Sequence, residues 1–266
     1  MYTLRLGKSV KALCGDYYEI IQEMVALGYH SIDIVLCECG FENTAEQVEE
    51  VKRRVIAAKN LGLYFNNVHL PYGYAWDISI LDDEKRRLSM DNVKSIISWG
   101  DTLQPYCYVF HPSAGPIFDK DRERRLDLLE KSMKELQAFT KTPLAVENMP
   151  DRGMLNTGAE LQYFAKKMGN VQYCIDVNHF LRETPEEALE LIGKYAITLH
   201  ISDHDYTRER HWLPAKGKID WQKVIAALEK ANYQGVWNYE VLEGTLAEIK
   251  YNYLGLFAEY NNCIEK

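Results

Sequence analysis

Apolar residues alternate along the chain between short continuous runs and longer stretches with helical spacing. A short apolar run is typical of a strand buried on both faces, and apolar residues three and four positions apart are typical of an amphipathic helix. The runs predict strands over residues 3–6, 31–36, 63–70, 106–111, 144–147, 171–176, 196–202 and 235–240. The periodic stretches predict helices over residues 17–27, 43–61, 82–103, 119–140, 157–168, 185–195, 221–231 and 245–260.

Strand and helix therefore alternate eight times within 266 residues, which is the count of a (β/α)8 TIM barrel in the α/β class. The alternative is an open doubly wound sheet, which usually carries a glycine-rich phosphate turn after its first strand. The sequence Gly-Lys-Ser-Val at residues 7–10 is not such a turn. Because no linker or composition shift divides the chain, we predict a single barrel domain over residues 1–266.

The overall charge restricts the partners that the chain can attract. The formal net charge is -8, so bulk electrostatics disfavour nucleic acid. No apolar run reaches 18 residues, and the first residues lack the apolar core of a signal peptide, so no membrane span is expected. Cys37 and Cys39 have no second pair at zinc-ribbon spacing. We expect reduced thiols and a cytoplasmic protein.

Six of the predicted strands have, at or near their carboxyl end, a residue that can bind a metal. A strand buried on both faces has no structural need for a charged or imidazole side chain at its last position. In a (β/α)8 barrel the carboxyl ends of the strands meet at the face that carries the active site. One shared site is therefore predicted from His69, His111, Glu147, Asp176, His200 and Glu240.

The chemistry of four of these side chains fits a divalent cation. Glu147, Asp176 and Glu240 offer hard oxygens and His200 offers an imidazole nitrogen, a mixture that suits Mn²⁺, Co²⁺ or Zn²⁺ and suits Ca²⁺ poorly. A cation held in this way can polarise a carbonyl and an adjacent hydroxyl of one substrate. Glu147 and Glu240 would then flank the reacting carbon as a proton-transfer pair.

With these residues in this order, the chain resembles the xylose isomerase-like barrel superfamily over nearly its whole length. The resemblance is to its sugar phosphate isomerase/epimerase group, whose best-understood members are the tagatose/psicose 3-epimerases; endonuclease IV shares the barrel. The motifs that carry it are Val68-His69, Phe110-His111-Pro112, Val146-Glu147-Asn148, Asp176-Val177-Asn178-His179, His200-Ile201-Ser202-Asp203, the segment from His211 to Trp221, and Tyr239-Glu240.

The resemblance implies roles for individual residues. It implies metal ligation by the same four side chains, proton exchange between Glu147 and Glu240 through an enediolate, and contact of His179 with substrate oxygens. The epimerases also use an arginine in the loop after the seventh strand. The candidates for that and other substrate contacts are Arg208, Arg210, Lys216, His69, His111 and the aromatic residues Tyr72, Tyr74 and Trp76.

The loop after the seventh strand departs from the form that is common in the family. That form reads His-x-x-Pro-Gly-x-Gly, whereas this chain has Ala215 at the first of the two glycine positions. A residue with a Cβ atom is strained where φ is positive. If Ala215 adopts a positive φ, we expect the loop to be shaped differently.

The function expected from the sequence is a divalent-metal-dependent isomerase or epimerase of a small sugar, sugar phosphate or keto-polyol. A keto-polyol dehydratase is an alternative with related enolate chemistry, and a non-catalytic metabolite-binding barrel is a third. A phosphodiesterase or AP endonuclease like endonuclease IV, which binds three zinc ions, is another. Its additional ligands would map to His69, His111, His179 and the segment Glu209-Arg210-His211. A homo-oligomer is also expected, because barrels of this class often associate.

Overall fold

Eight parallel strands, each followed by a helix, form the chain's architecture. The computed structural model describes residues 1–36 and 40–264, so Cys37 and Cys39 lie outside the described residues. The strands are β1 Arg5–Lys11, β2 Ser31–Val35, β3 Tyr64–His69, β4 Cys107–Phe110, β5 Leu144–Glu147, β6 Gln172–Asp176, β7 Ala196–His200 and β8 Val236–Tyr239. The helices are α1 Tyr17–Ala26, α2 Ala45–Asn60, α3 Asp83–Gly100, α4 Asp119–Phe139, α5 Gly158–Met168, α6 Pro185–Ile192, α7 Trp221–Lys230 and α8 Leu246–Ile264.

The sheet closes on itself into a barrel. The hydrogen-bonded order is β7-β6-β5-β4-β3-β2-β1-β8, and every neighbouring pair in that order is parallel. The two ends of this order are joined just beyond β7, where the Ile201 amide donates to the Asn238 carbonyl at 2.8 Å. The Glu240 amide donates in turn to the Ile201 carbonyl at 3.0 Å. These bonds confirm the predicted (β/α)8 barrel.

The first strand lies further along the chain than the predicted range of 3–6. β1 contains Lys8 and Ser9, which interrupt the apolar pattern and hide the strand from a periodicity argument. Ser9 lies inside the barrel, where its hydroxyl accepts a 2.8 Å hydrogen bond from the Asn238 side chain. Tyr2 instead pairs with α8, since its amide donates to Asn261 Oδ1 at 2.8 Å.

Side-chain caps begin several of the predicted helices. Thr44, rather than Asn43, caps α2 by accepting a hydrogen bond from the Gln47 amide at 3.3 Å. At α6, Thr184 and Glu187 form a reciprocal capping box, with Pro185 as the first residue of the helix. Such caps satisfy amides that have no partner inside the helix, and each typically contributes about 1 kcal/mol. No helix in the described ranges is both long and apolar enough to cross a membrane.

A buried ion pair ties α4 to the loops at the carboxyl face of the barrel. The Arg125 guanidinium contacts the Asp77 carboxylate, and both residues are buried. Asp77 also accepts hydrogen bonds from the amides of Ser79 and Ala114, each at 3.0 Å. One carboxylate therefore fixes the loop after β3 against the loop after β4. Trp76, a predicted substrate contact, directly precedes it in the chain.

We predict that Arg125→Met destabilises the protein by about 3–5 kcal/mol, because it leaves the Asp77 carboxylate buried without a compensating charge. Urea unfolding followed by circular dichroism measures the change. Arg87→Met is the matched control, since Arg87 contacts Asp91 at 3.4 Å on the surface and should contribute less than about 1 kcal/mol. Equal losses in the two variants would contradict the assignment of Arg125 as a structural clamp.

Candidate active site

The centre of the site is the carboxylate of Glu147, the last residue of β5, which is 1% exposed. Its Oε1 lies 2.8 Å from Nδ1 of His200 at the end of β7. Its Oε2 lies 2.9 Å from Nε2 of His69 at the end of β3 and 3.2 Å from Nε2 of His111 after β4. Three imidazoles from three strand ends therefore converge on one buried carboxylate.

The four predicted metal ligands lie together around this carboxylate. Glu147, Asp176, His200 and Glu240 each offer one ligand atom, and these atoms all lie within 4.8 Å of one another. His200 Nδ1 is also 3.2 Å from Glu240 Oε2. Asp176 Oδ2 is buried and receives no hydrogen bond from the described residues, and its charged neighbour is His179 Nε2 at 3.3 Å. A buried carboxylate oxygen without a hydrogen bond, beside two further carboxylates and an imidazole, fits a divalent cation.

The negative charge concentrated at the site also fits a bound divalent cation. The pKa of Asp176 is raised to about 6: burial raises it most, the imidazole of His179 lowers it, and the neighbouring carboxylates of Glu240 and Glu147 add to the rise. Burial also raises the pKa of Glu147, but the imidazoles of His200, His111 and His69 outweigh it and hold that pKa well below its usual range. Carboxylates this close repel one another unless positive charge lies between them.

Two further groups of ligand-type side chains adjoin the four-residue cluster. His69, His111 and Glu147 place their ligand atoms within 4.8 Å of one another. On the other side, Glu209 Oε1 lies 2.5 Å from His211 Nε2 and 3.5 Å from His179 Nε2. The His179 ring is oriented by its Nδ1, which donates to the Asn148 carbonyl at 2.6 Å. The site therefore contains more potential ligands than one cation requires.

Asp203, from the predicted His-x-x-Asp motif, shapes the loop after β7. Its carboxylate accepts hydrogen bonds from the Ala215 amide at 2.8 Å and from the Trp221 indole at 2.9 Å. Ala215 has a φ of 70°, so the positive φ considered from the sequence is present in a residue with a side chain. A Cβ atom at Gly217 would lie 2.2 Å from Asp203 Oδ1, so only glycine fits there.

A cavity of about 750 Å³ opens above the clustered ligands. This volume is within the range of small-molecule sites, roughly 300–1,000 Å³. The polar floor combines carboxylates with imidazoles, and much of the wall is apolar. The floor is formed by His69, His111, Glu147, His179, Glu209, His211 and Glu240, and the wall includes Val35, Leu36, Phe41, Tyr72, Trp76, Met149, Val241 and Leu242.

The predicted substrate contacts divide into two sets. His69, His111, His179 and Trp76 line the cavity. Arg210 and Lys216 do not line it. The Arg210 guanidinium lies 2.7 Å from Asp205 Oδ2 and stacks over the Trp212 ring at 5.0 Å. Lys216 Nζ lies 3.0 Å from Glu243 Oε1.

Asp33 is a buried site residue that the sequence argument missed. It lies in the middle of β2 rather than at its end, and it is 0% exposed. The Asn66 side chain donates to its Oδ1 at 2.8 Å, and the Asn67 side chain donates to its Oδ2. Burial raises the pKa of Asp33 to about 7. The sequence does show a single carboxylate within a mostly apolar strand. Burial of a carboxylate is unfavourable unless it has hydrogen-bond partners, so this position could have been recognised as a special one.

The chain belongs to the xylose isomerase-like TIM barrel family, whose model matches residues 21–252. A curated relative is the uncharacterized protein MJ1614 of Methanocaldococcus jannaschii, 26% identical over 160 residues. That match covers 59% of this chain and 63% of the relative, so the chain spans less than two thirds of the length of the relative that it matches.

Several sugar epimerases share the fold. The 3-keto-D-glucoside 4-epimerase YcjR from E. coli superposes with a TM-score of 0.75 at 18% identity, covering 96% of this chain and 100% of that one. D-psicose 3-epimerase from Clostridium cellulolyticum H10, solved with D-tagatose, gives 0.75 at 16%, covering 97% and 99%. An L-ribulose 3-epimerase gives 0.77 at 15%, covering 98% and 95%. At these identities the likeness establishes the fold.

The pair Glu209–His211 should make the stability of the metal-free protein depend on pH. Burial lowers the pKa of His211, but its hydrogen bond to Glu209, together with the negative charges of Asp176, Glu240 and Glu209, outweighs this and the pKa rises from 6.5 to about 9. Because the pKa of His211 is higher in the folded protein than in the unfolded chain, protonation of His211 stabilises the fold. This contribution is complete below about pH 6.5 and is lost as the pH rises through about 9. Glu209→Gln should therefore lose more stability at pH 6 than at pH 10.

Urea unfolding in the presence of a chelator, at pH 6 and at pH 10, measures this difference. Because other groups also titrate over the interval, the comparison is between the parent and the variant at each pH. Glu190→Gln, an exposed change on α6, serves as the control and should give the same small difference at both values. A constant difference for Glu209→Gln at both values would contradict the linkage.

Proposed function

We propose that the protein is a divalent-cation-dependent isomerase or epimerase. Its substrate is a small sugar, sugar phosphate or keto-polyol, and the reaction passes through an enediolate. The observation that carries the proposal is the placement of two carboxylates, Glu147 and Glu240, on the floor of the cavity, where they lie 2.8 and 3.2 Å from His200 Nδ1. The named sugar epimerases among the structural neighbours support the same reaction class.

Glu147, Asp176, His200 and Glu240 would hold the cation, because they place three carboxylates and one imidazole nitrogen within 4.8 Å of one another. When bound, it supplies Lewis acidity that stabilises negative charge developing on the substrate oxygens. Mn²⁺, Co²⁺ and Zn²⁺ are the ions that this set of donors suits.

The two glutamates carry out the proton transfers. One carboxylate removes the proton from the carbon that bears a hydroxyl beside the substrate carbonyl, and the electron pair of that C–H bond forms the enediolate. The other glutamate, in its protonated form, delivers a proton to the opposite face, which inverts the configuration without net oxidation or reduction. After turnover, exchange with water restores the starting protonation states. The solvent therefore becomes the source of the hydrogen on the product.

The histidines would orient the substrate. His179 is fixed by its bond to the Asn148 carbonyl, so its Nε2 faces the cavity beside Asp176 at 3.3 Å. His111 and His69 face the cavity across Glu147. Imidazole N–H groups held in fixed directions suit a substrate that is rich in hydroxyl groups. Trp76 and Tyr72 provide flat apolar surface for the C–H faces of a sugar.

Hydrogen exchange with solvent tests the proposal. The protein is loaded with Mn²⁺ or Co²⁺ and incubated in D₂O with a panel of ketoses, their phosphates and keto-polyols, and the products are examined by NMR. Deuterium entering the carbon beside the carbonyl is the expected result, and the compound that exchanges identifies the substrate class. If no compound exchanges or is isomerised while one ion is bound, the proposal fails.

Glu147→Gln and Glu240→Gln should each reduce deuterium incorporation by at least 100-fold, because either change removes a proton-transfer group. Circular dichroism and elemental analysis check that each variant remains folded and report how much metal it retains. Glu190→Gln should exchange at the parent rate. His200→Ala should lower metal occupancy. Full activity in either glutamine variant would remove that residue from the acid–base pair.

A second candidate function is a multi-metal phosphodiesterase. The specific observation in its favour is that Glu147 turns one oxygen toward His200 and the other toward His69 and His111, as a carboxylate bridging two cations would. Glu209, between His179 and His211, offers a third group of ligands. The net charge of -8 is unfavourable for a nucleic-acid substrate.

The number of bound metal ions separates the two candidates. One ion per chain by elemental analysis after dialysis is expected for the isomerase, and three ions together with hydrolysis of bis(p-nitrophenyl) phosphate are expected for the phosphodiesterase. His111→Gln provides the matched variant. It should leave the count unchanged in the first case and lower it in the second, because His111 belongs to the additional group alone.

A further inference from the structure

The imidazole of His200 has two nitrogens in different surroundings. Nδ1 faces Glu147 and Glu240, the two carboxylates of the proposed proton-transfer pair. Nε2 points the other way, into the barrel, and has no hydrogen-bond partner among the described residues. A neutral imidazole carries one proton on one of its nitrogens, and only the other nitrogen has a lone pair for a metal.

The charged group facing this second nitrogen is the Asp33 carboxylate. Asp33 Oδ2 lies 3.9 Å from His200 Nε2, and both residues are 0% exposed. This is the distance of an ion pair rather than of a formed hydrogen bond, so a small approach would complete the bond. The Asp33 carboxylate is held in place, because Asn66 and Asn67 donate to its two oxygens.

Cys174 is the competing neighbour of His200, and it is a poorer acceptor. Its ligand atom lies within 4.8 Å of those of Glu147 and His200. Cys174 is buried, and a thiol sulfur accepts a hydrogen bond only weakly. A carboxylate is therefore the stronger partner for an N–H group inside the barrel.

We propose that Asp33 is a positioning residue for the cation site: its carboxylate accepts the Nε2–H of His200 and so presents the Nδ1 lone pair to Glu147 and Glu240. The inference rests on the cation site of the proposed function, and it assigns a role to a residue one layer below that site. Carboxylates behind metal-binding histidines fix the tautomer and orient the ring, and their loss commonly costs about 10–100-fold in metal affinity.

The test compares Asp33→Asn with the parent protein. Mn²⁺ binding is measured by isothermal titration calorimetry, and the thermal unfolding midpoint of the metal-free protein is measured beside it. Asn67 Oδ1 has no hydrogen-bond partner among the described residues, so the Asn67 amide can rotate to accept from the new side chain. We therefore expect the unfolding midpoint to change little while Mn²⁺ affinity falls by about 10–100-fold.

Asp101→Asn is the matched control. Asp101 accepts hydrogen bonds from Tyr108 at 3.0 Å, Thr140 at 2.8 Å and Thr142 at 2.9 Å, away from the ligand cluster. It should lower the unfolding midpoint and leave Mn²⁺ affinity unchanged. If Asp33→Asn binds Mn²⁺ as tightly as the parent, the inference is overturned while the proposed function stands. If the parent binds no divalent ion, both are overturned.

The tautomer of His200 can also be determined in the parent protein. This measurement does not require Asp33→Asn to fold. With ¹⁵N-labelled histidine and bound Zn²⁺, NMR should show a protonated Nε2 with a slowly exchanging hydrogen and a metal-shifted Nδ1. The His200 signals are assigned by their loss in His200→Gln. A protonated Nδ1 with a metal-shifted Nε2 would overturn the inference.

Discussion

The site depends on one interaction, the sharing of the buried Glu147 carboxylate among three imidazoles. A carboxylate that is 1% exposed is tolerated only if neighbouring groups compensate its charge, and here His69, His111 and His200 do so at 2.8–3.2 Å. These histidines come from three strands that are far apart in the sequence. The contacts therefore form only when β3, β4, β5, β6 and β7 have assembled side by side, which also places Asp176 at the site, and closure of β8 onto β7 brings Glu240 alongside.

The strand-end residues could be predicted because each breaks a simple rule. An apolar run has no physical reason to end in His69, Glu147 or Asp176 unless the side chain is used, and parallel strands in a barrel bring such ends together. Loop residues follow no such rule. The directions of Arg210 and Lys216 depend on local carboxylates and on a backbone with several positive φ angles, so their distance from the cavity could not be read from the sequence.

Polar residues inside the barrel could not be predicted from the sequence for a different reason. Asp33 interrupts an otherwise mostly apolar strand, and Ser9 lies in a strand that also contains Lys8 and Lys11; for each, a polar side chain from another strand supplies a hydrogen bond. The sequence shows the interruption but not the partner, since Asn238 and Asn66 are distant along the chain. The barrel interior therefore combines apolar packing against the helices with a polar layer beneath the site, and this layer gives the ligands a second set of neighbours.

The seam where the ring closes passes directly between two of the candidate ligands. Ile201, whose amide and carbonyl join β7 to β8, follows His200 in the chain, and its carbonyl accepts from the amide of Glu240. An ion held by His200 and Glu240 would cross-link β7 and β8, the two ends of the sheet order. Separation of β7 from β8 would then also release the ion. Binding of the ion would therefore raise the free energy needed to separate the two strands, and loss of that stability would be accompanied by loss of catalytic activity.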